Sequence, residues 1–180
     1  MKTYIALLRG INVSGKNLIK MAELKVLFTK IGLNDVTTYI QSGNVIFTSE
    51  ENNTLKIETE IIKAIKTKFG YDLKVLVITK KLLKNIFSSN PFLADKNKVL
   101  SSLFVTFLHE SPNKEGIPLL KNYTTKQEEF IVDNKIVYLH YPNGSGRSKL
   151  SNNLIESKLK SSATTRNWRT ITKLLELSKP

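Results

Sequence analysis

The chain has 180 residues and a formal net charge of +13 at pH 7. It contains no cysteine, which excludes disulfides, thiolate metal ligands and a cysteine nucleophile. No stretch approaches the roughly 18 apolar residues of a membrane-spanning helix, and the apolar run at the N-terminus is too short for a signal peptide. We therefore expect a cytoplasmic protein that forms one large domain or two small lobes, with no membrane partner.

The basic excess consists mostly of scattered lysines. Of the 28 basic residues 24 are Lys, and each half of the chain carries 14 basic residues. Scattered Lys is typical of a solvated surface, although a basic chain also attracts nucleic acid, phosphorylated metabolites or anionic lipid. The arginines lie instead beside Gly, Ser, Thr or Asn, at positions Arg9, Arg147, Arg166 and Arg169. Because a guanidinium grips phosphate or carboxylate at two points, this confinement indicates an anion site; the alternative is that the arginines bond backbone carbonyls and pin the loops.

The first half of the chain predicts the element order β-α-β-β-α-β. Apolar positions alternate in the strands and recur at helical spacing in the helices. Gly32 and Gly70 end the two helices, and Asn52 or Asn53 caps the second. The predicted elements are a strand over 3–9, a loop over 10–17, a helix from Met21 to Gly32, hairpin strands over 35–41 and 45–48, a helix from about 54 to 69, and a strand over 73–78.

The second half predicts a similar order with a different end. After a helix over 80–88, the stretch 89–100 is the predicted boundary between lobes. A strand over 103–108, a helix over 113–122, hairpin strands over 128–132 and 135–141, and a helix over 150–159 follow. The fold class is therefore α+β with two ferredoxin-like lobes of βαββαβ type, residues 1–88 and 89–180, the second modified and ending in a C-terminal helix.

The final helix is predicted over 166–178, in the place of the last strand of a second copy, with Thr165 as N-cap. Trp168, Ile171 and Leu175 recur at helical spacing and are expected to face a core. Arg166 and Arg169 are three residues apart, which predicts that both project from another side of this helix.

Five segments together resemble one bacterial family, domain of unknown function 1697. The segments are LLRGINVSG at 7–15, YIQSGNVIF at 39–47, NPF at 90–92, GSGRSKL at 144–150 and ATTRNWRT at 163–170. The resemblance covers essentially the whole chain and implies an α+β fold of two ferredoxin-like subdomains. It implies almost nothing about activity, because the family is named for lacking one. Ser14 departs from the family pattern, which more often has Gly, and we expect no important consequence.

The candidate ligand-binding residues form two groups of polar loops. The first follows the first strand and the hairpin turn: Arg9, Asn12, Lys16, Asn17, Gln41, Ser42 and Asn44. The second is a Gly-rich loop before a helix and the predicted start of the last helix: Gly144, Ser145, Gly146, Arg147, Ser148, Thr164, Thr165, Arg166 and Asn167. Free backbone N–H groups at a helix start favour an anion. If the loops converge on a cleft between the lobes, they suit an anionic, phosphorylated or nucleotide-like small ligand.

Three other functional classes stay open. No His-x-x-x-His or Asp-x-Asp motif predicts a metal centre, no cofactor is indicated, and His109 and His140 are more typical of structural histidines. An enzyme remains open only through phosphoryl transfer by Arg and Lys clamps, with no catalytic residue identified. Nucleic-acid binding is weakly supported, since the strands lack the glycine and aromatic signature of an RNA-recognition module. A scaffold whose polar motifs lock the lobes together is the third alternative, and no oligomeric state is predicted.

Overall fold

The computed structural model describes residues 1–178. Within that range the chain is mixed α+β, with two four-stranded antiparallel sheets and six α-helices. It divides into two compact units: residues 1–84 together with the chain from Leu174 onward, and residues 85–173. No helix in the described part of the chain is both long and apolar enough to cross a membrane.

The first unit has β1 at the centre of its sheet. Its elements are β1 (Lys2–Leu8), α1 (Met21–Lys30), β2 (Asn34–Tyr39), β3 (Asn44–Ser49), α2 (Thr54–Phe69), β4 (Val75–Thr79) and the start of α3 (Lys80–Ser88). The strand order is β2-β3-β1-β4, and β1 pairs antiparallel with both β3 and β4. Apolar residues of α1 and α2, such as Phe28 and Ile61, pack against Tyr4 and Phe47 of the sheet. These elements confirm the predictions for the first half.

Local sequence explains where α2 begins and ends. The Asn53 side chain accepts hydrogen bonds from the backbone N–H groups of Leu55 and Lys56 at 3.0 and 3.3 Å. Gly70 follows the helix with φ of 77°, a left-handed conformation that glycine adopts without steric cost. The predicted cap and stop signals of this helix are confirmed.

The second unit has β5 at the centre of its sheet. Its elements after α3 are β5 (Leu103–Leu108), α4 (Gly116–Leu120), β6 (Glu129–Asp133), β7 (Ile136–His140), α5 (Asn152–Leu159), β8 (Ala163–Asn167) and α6 (Trp168–Leu177). The strand order is β6-β7-β5-β8, and all three pairs are antiparallel. Leu139, Leu159 and Ala163 are among the residues of its core. Helix α4 is shorter than the predicted helix over 113–122. Helix α5 begins at Asn152, two residues later than the predicted helix over 150–159.

The prediction for the last helix is wrong at its start. Residues 163–167 form β8, whose Thr164 lies opposite Phe107 and whose Arg166 lies opposite Val105. Threonine is β-branched and therefore suits a strand that pairs with the centre of the sheet. The cap is Asn167 and not Thr165, because Asn167 Oδ1 accepts the backbone N–H of Thr170 at 2.8 Å. The second unit therefore has a fourth strand and the same strand order as the first unit. The prediction that a helix replaces this last strand is wrong.

This correction separates two predicted neighbours. Arg166 lies on β8 and Arg169 on α6, so they do not project together from one helix. Trp168 and Ile171 are buried as predicted, but Leu174 is the next fully buried residue, while Leu175 is only half-buried. Because the helix begins at Trp168, the spacing of Trp168 and Ile171 on one face is unchanged, and their predicted burial is confirmed.

Candidate functional site

The loop after β1 is fixed by the side chain of Asn12. Its Nδ2 donates to the backbone carbonyls of Ile19 and Gln41, both at 2.9 Å. Its Oδ1 accepts the backbone N–H of Ile19, also at 2.9 Å. One amide therefore closes the loop on itself and attaches it to the turn after β2. This amide acts in positioning the loop.

The same loop holds an unusual number of left-handed residues. Five of the eight residues 10–17 have positive φ, with values from 48° to 75°: Gly10, Asn12, Ser14, Gly15 and Asn17. The Asn17 side chain adds a hydrogen bond from Nδ2 to the carbonyl of Gly10 at 2.9 Å. Ser14, with φ of 50°, lies in the region that favours glycine. The loop is thus held in a specific, costly conformation.

The turn at 40–44 packs against the end of β1. The backbone N–H of Leu8 donates to the carbonyl of Gly43 at 2.8 Å. A Cβ on Gly43 would lie 2.7 Å from the Cβ of Leu8, so only glycine fits this close approach. Asn44 is fully buried, and its Nδ2 donates to the carbonyl of Tyr39 and the hydroxyl of Ser42 at 3.1 and 2.9 Å. These contacts hold Gln41 and Ser42 beside the loop after β1.

The first group of predicted residues is therefore brought together, with a basic character. Arg9 is half-buried and Lys16 is exposed. The backbone N–H of Arg9 donates to the carbonyl of Lys74 at 2.9 Å, which adds a lysine that sequence reasoning missed. Lys74 lies just before β4, and only the pairing of β1 with β4 brings it near Arg9. Neither residues 9–19 nor residues 39–44 contain an acid. We call residues 9–17, residues 40–44 and Lys74 the basic loop site.

The Gly-rich loop of the second group differs from its prediction. Residues 145–147 form a 3-10 turn, in which the N–H of Arg147 donates to the carbonyl of Gly144 at 3.3 Å. The N–H of Ser148 likewise donates to the carbonyl of Ser145 at 3.3 Å. Helix α5 begins only at Asn152, after the cap residue Ser151. The loop is therefore not the first turn of a helix, and the helix dipole, which acts within one turn, does not favour an anion there.

The strand β8 is joined to α5 by a polar network. Thr165 Oγ1 donates to Asn152 Oδ1 at 2.8 Å and lies 2.7 Å from Thr106 Oγ1. Asn152 Nδ2 donates to the carbonyl of Ala163 at 3.1 Å, and Glu156 Oε1 accepts the N–H of Ala163 at 2.6 Å. Sequence reasoning missed Asn152, Glu156 and Thr106. The spacing of Asn152 and Glu156, four residues apart on one helix face, is the signal that points to them.

The remaining predicted residues lie on or at the end of β8. Thr164 and Arg166 point to the face of the sheet opposite Thr165, since side chains alternate along a strand. Arg166 Nη1 donates to the carbonyl of Thr165 at 2.9 Å, and burial lowers the pKa of its guanidinium to about 10, so it is still cationic at pH 7. The Thr164 hydroxyl is buried with no hydrogen-bond partner in the described part of the chain. The side-chain oxygen of Asn167 caps α6 by accepting the backbone N–H of Thr170.

A groove of about 800 Å³ lies between α1 and α2 in the first unit. Its lining includes apolar Leu27 and Ala64 and basic Lys63, and it contains none of the predicted site residues. Among residues 1–178, no group of three His, Asp or Glu side chains is placed to hold a metal ion.

Two antiparallel sheets with the same strand order define an α+β protein of two similar units. A model of the family described as "Protein of unknown function (DUF1697)" matches residues 1–138, and the chain belongs to that family. The last two segments that carried the resemblance, 144–150 and 163–170, lie beyond the matched range. No curated protein matches the chain.

One solved structure shares the fold along the full length. It is the conserved bacterial protein SP0830 from Streptococcus pneumoniae, with a TM-score of 0.78 and 23% sequence identity over 99% of both chains. At this identity the likeness establishes the fold alone.

Proposed function

We propose that the protein binds an anionic, phosphorylated small ligand at the basic loop site. The observation that supports this most directly is the Asn12 amide, which ties the loop after β1 to the turn after β2. It holds the loop that carries Arg9 and Lys16 against the turn that carries Gln41 and Ser42, and neither segment contains an acid. Cations beside amide and hydroxyl groups form a chemical environment that suits phosphate oxygens.

The strained backbone of this loop supports the same proposal. A serine with left-handed φ, such as Ser14, costs of order 1–3 kcal/mol and persists where surrounding contacts enforce that conformation. Such strain concentrates at binding and catalytic sites. A loop that is already ordered loses little conformational entropy when a ligand binds, which favours affinity.

Isothermal titration calorimetry with inorganic pyrophosphate tests the proposal. We expect saturable one-site binding to the wild-type protein. Lys16→Glu reverses an exposed charge at the site and should weaken binding by about tenfold or more. Lys25→Glu replaces another exposed lysine, on α1; it makes the same change in net charge and should leave binding within about twofold.

Other outcomes identify the rival functions. Loss of binding in Arg147→Ala but not in Lys16→Glu would place the anion on the loop at 144–148 and reject the basic loop site. Binding of oligonucleotides alone, collapsing between low and high salt, would favour nucleic-acid binding. Because Trp168 is buried and stacks on Phe87 at 5.2 Å in the second unit, calorimetry is preferable to its fluorescence as a readout.

We also infer that each unit is a ferredoxin-like lobe. The order of elements in each unit is βαββαβ, as in that fold. The centre of each sheet is its first strand, paired antiparallel with its third and fourth strands. This inference can be tested by an experimental structure, in which the strand orders β2-β3-β1-β4 and β6-β7-β5-β8 are expected.

A further inference from the structure

Three large apolar residues in or directly after the segments of the basic loop site are exposed. Val13 is 57% exposed, Leu18 is 62% exposed and Ile40 is 49% exposed. Single exposed apolar residues are common on proteins, but a group of them on one small surface marks an interaction site. Val13 and Leu18 are five residues apart in the loop after β1, whereas Ile40 lies in the turn after β2, so only the fold brings the turn to that loop.

The hydrogen bonds of Asn12 join the backbone segments that carry these three residues. Asn12 precedes Val13 in the chain and bonds the carbonyls of Ile19 and Gln41 with its side chain, at 2.9 Å each. Leu18 and Ile40 immediately precede those two bonded residues. Each exposed apolar residue is therefore adjacent in sequence to Asn12 or to one of its two hydrogen-bond partners. We call Val13, Leu18 and Ile40 the apolar triplet.

Lys16, one of the cations of the site, is joined to the triplet through its backbone. The backbone N–H of Lys16 donates to the carbonyl of Val13 at 2.9 Å, which closes a tight turn. Gln41 follows Ile40 and is exposed, so an amide able both to donate and to accept hydrogen bonds lies next to an apolar side chain. The surface thus combines positive charge, apolar area and one amide.

Ile40 is the most informative member of the triplet. It has φ of 49°, a conformation in which a β-branched side chain is a genuine outlier. An isoleucine that is half exposed gains little from burial in the folded protein, so folding alone does not account for its presence at a strained position. An apolar surface held ready for a ligand accounts for both features.

We propose that the ligand of the basic loop site is a nucleoside 5′-phosphate. This proposal rests on the proposed function of that site. Its phosphates would contact Arg9 and Lys16, and its base would pack on the apolar triplet. The amide of Gln41 would bond the polar edge of the base. A base offers hydrogen-bonding groups to that amide, which the hydrocarbon of an aliphatic phosphate ester lacks, and this favours a base over a lipid chain.

Calorimetry with matched phosphates tests this proposal. The probes are inorganic pyrophosphate, the diphosphates ADP, GDP, CDP and UDP, and geranyl diphosphate. We expect at least one nucleotide to bind about tenfold more tightly than pyrophosphate, a factor that corresponds to burial of one apolar side chain. In the double variant Val13→Ser/Leu18→Ser that advantage should disappear, because nucleotide affinity should fall much more than pyrophosphate affinity. Leu55→Ser, which alters a 69% exposed leucine on α2, is the control and should change neither affinity.

Each contrary result has a distinct meaning. If pyrophosphate binds and no nucleotide binds more tightly, the nucleotide proposal is overturned and the anion site stands. If neither pyrophosphate nor any nucleotide binds, both proposals fail. If geranyl diphosphate exceeds every nucleotide, or if the double variant keeps the nucleotide preference, the assignment of the triplet to a base is wrong.

Discussion

Glu156 on α5 accepts the backbone N–H of Ala163 on β8 at 2.6 Å. The first unit contains a similar contact, in which Glu58 on α2 accepts the N–H of Val77 on β4 at 2.7 Å. Each glutamate is the fifth residue of its helix, and each bonded strand lies at the edge of its sheet. In both units a carboxylate therefore joins the second helix of the unit to the edge strand that follows it.

Removing the Glu156 carboxylate should destabilise the second unit. Glu156→Ala leaves the Ala163 N–H without this acceptor, which should lower the free energy of unfolding by about 1–3 kcal/mol. Glu156→Gln keeps an oxygen acceptor and should cost less. Urea unfolding measures both, with Glu115→Ala, an exposed acid of the same unit, as a control expected within about 0.5 kcal/mol of wild type. Equal losses for the Ala and Gln variants would show that the charge, and not the acceptor, matters.

Replacing Asn167 tests the corrected start of the last helix. Asn167→Ala removes the oxygen that accepts the Thr170 N–H, and should lower the free energy of unfolding by about 1 kcal/mol. Asn167→Asp keeps a capping oxygen and adds a charge that favours the helix start, so its stability should match or exceed that of wild type. Thermal unfolding of the two variants gives the comparison. An Asp variant as unstable as the Ala variant would contradict the assignment of Asn167 as cap.

The error over residues 163–167 shows what local sequence reasoning lacks. Thr165 and Asn167 are both good cap residues, and the residues after each fit a helix, so spacing alone does not choose between them. The choice is made by pairing with β5, a contact between residues about 60 positions apart. The prediction of α2 with its Asn53 cap depends on one segment of the chain and needs no knowledge of long-range pairing. It is confirmed.

The basic loop site was predictable only in part for the same reason. Gly10–Asn17 and the turn at 40–44 stand out by composition, so their residues were identified. Lys74 was missed because its proximity to Arg9 arises from the pairing of β1 with β4. The positioning role of Asn12 was also missed, because its partners Ile19 and Gln41 donate or accept through backbone groups, which leave no mark in the sequence.

A pH-dependent contribution to stability is expected from Glu110. The Ser161 hydroxyl donates to its carboxylate at 2.8 Å, and this hydrogen bond holds the pKa of Glu110 below its ordinary value of 4.5. A carboxyl with a lowered pKa in the folded state stabilises fully above its unfolded pKa, and that contribution is lost as pH falls through the folded value. Ser161→Ala should therefore raise the pKa of Glu110 and cost about 1 kcal/mol at pH 7.

Two measurements check this expectation. The difference between Ser161→Ala and wild type in urea unfolding should be smaller at pH 3 than at pH 7. It should not vanish, because the Ser161 oxygen also accepts the backbone N–H of Glu110 at 2.9 Å, a bond that does not depend on the carboxylate. An NMR titration of the Glu110 side chain should show the higher pKa directly. An identical stability difference at both pH values would mean that the carboxylate contributes nothing.

Ile40→Asn should stabilise the protein and weaken nucleotide binding together. Asparagine tolerates the left-handed backbone at φ of 49°, so relief of strain should raise the free energy of unfolding by about 1 kcal/mol. Ile131→Asn is the matched control, because Ile131 is 41% exposed on β6 and does not have positive φ, and it should not stabilise. Urea unfolding and calorimetry with the diphosphate that wild type binds most tightly give the two readouts. A loss of stability in Ile40→Asn would show that Ile40 contributes to packing, whereas a gain with weaker binding would show that the strained isoleucine serves the ligand.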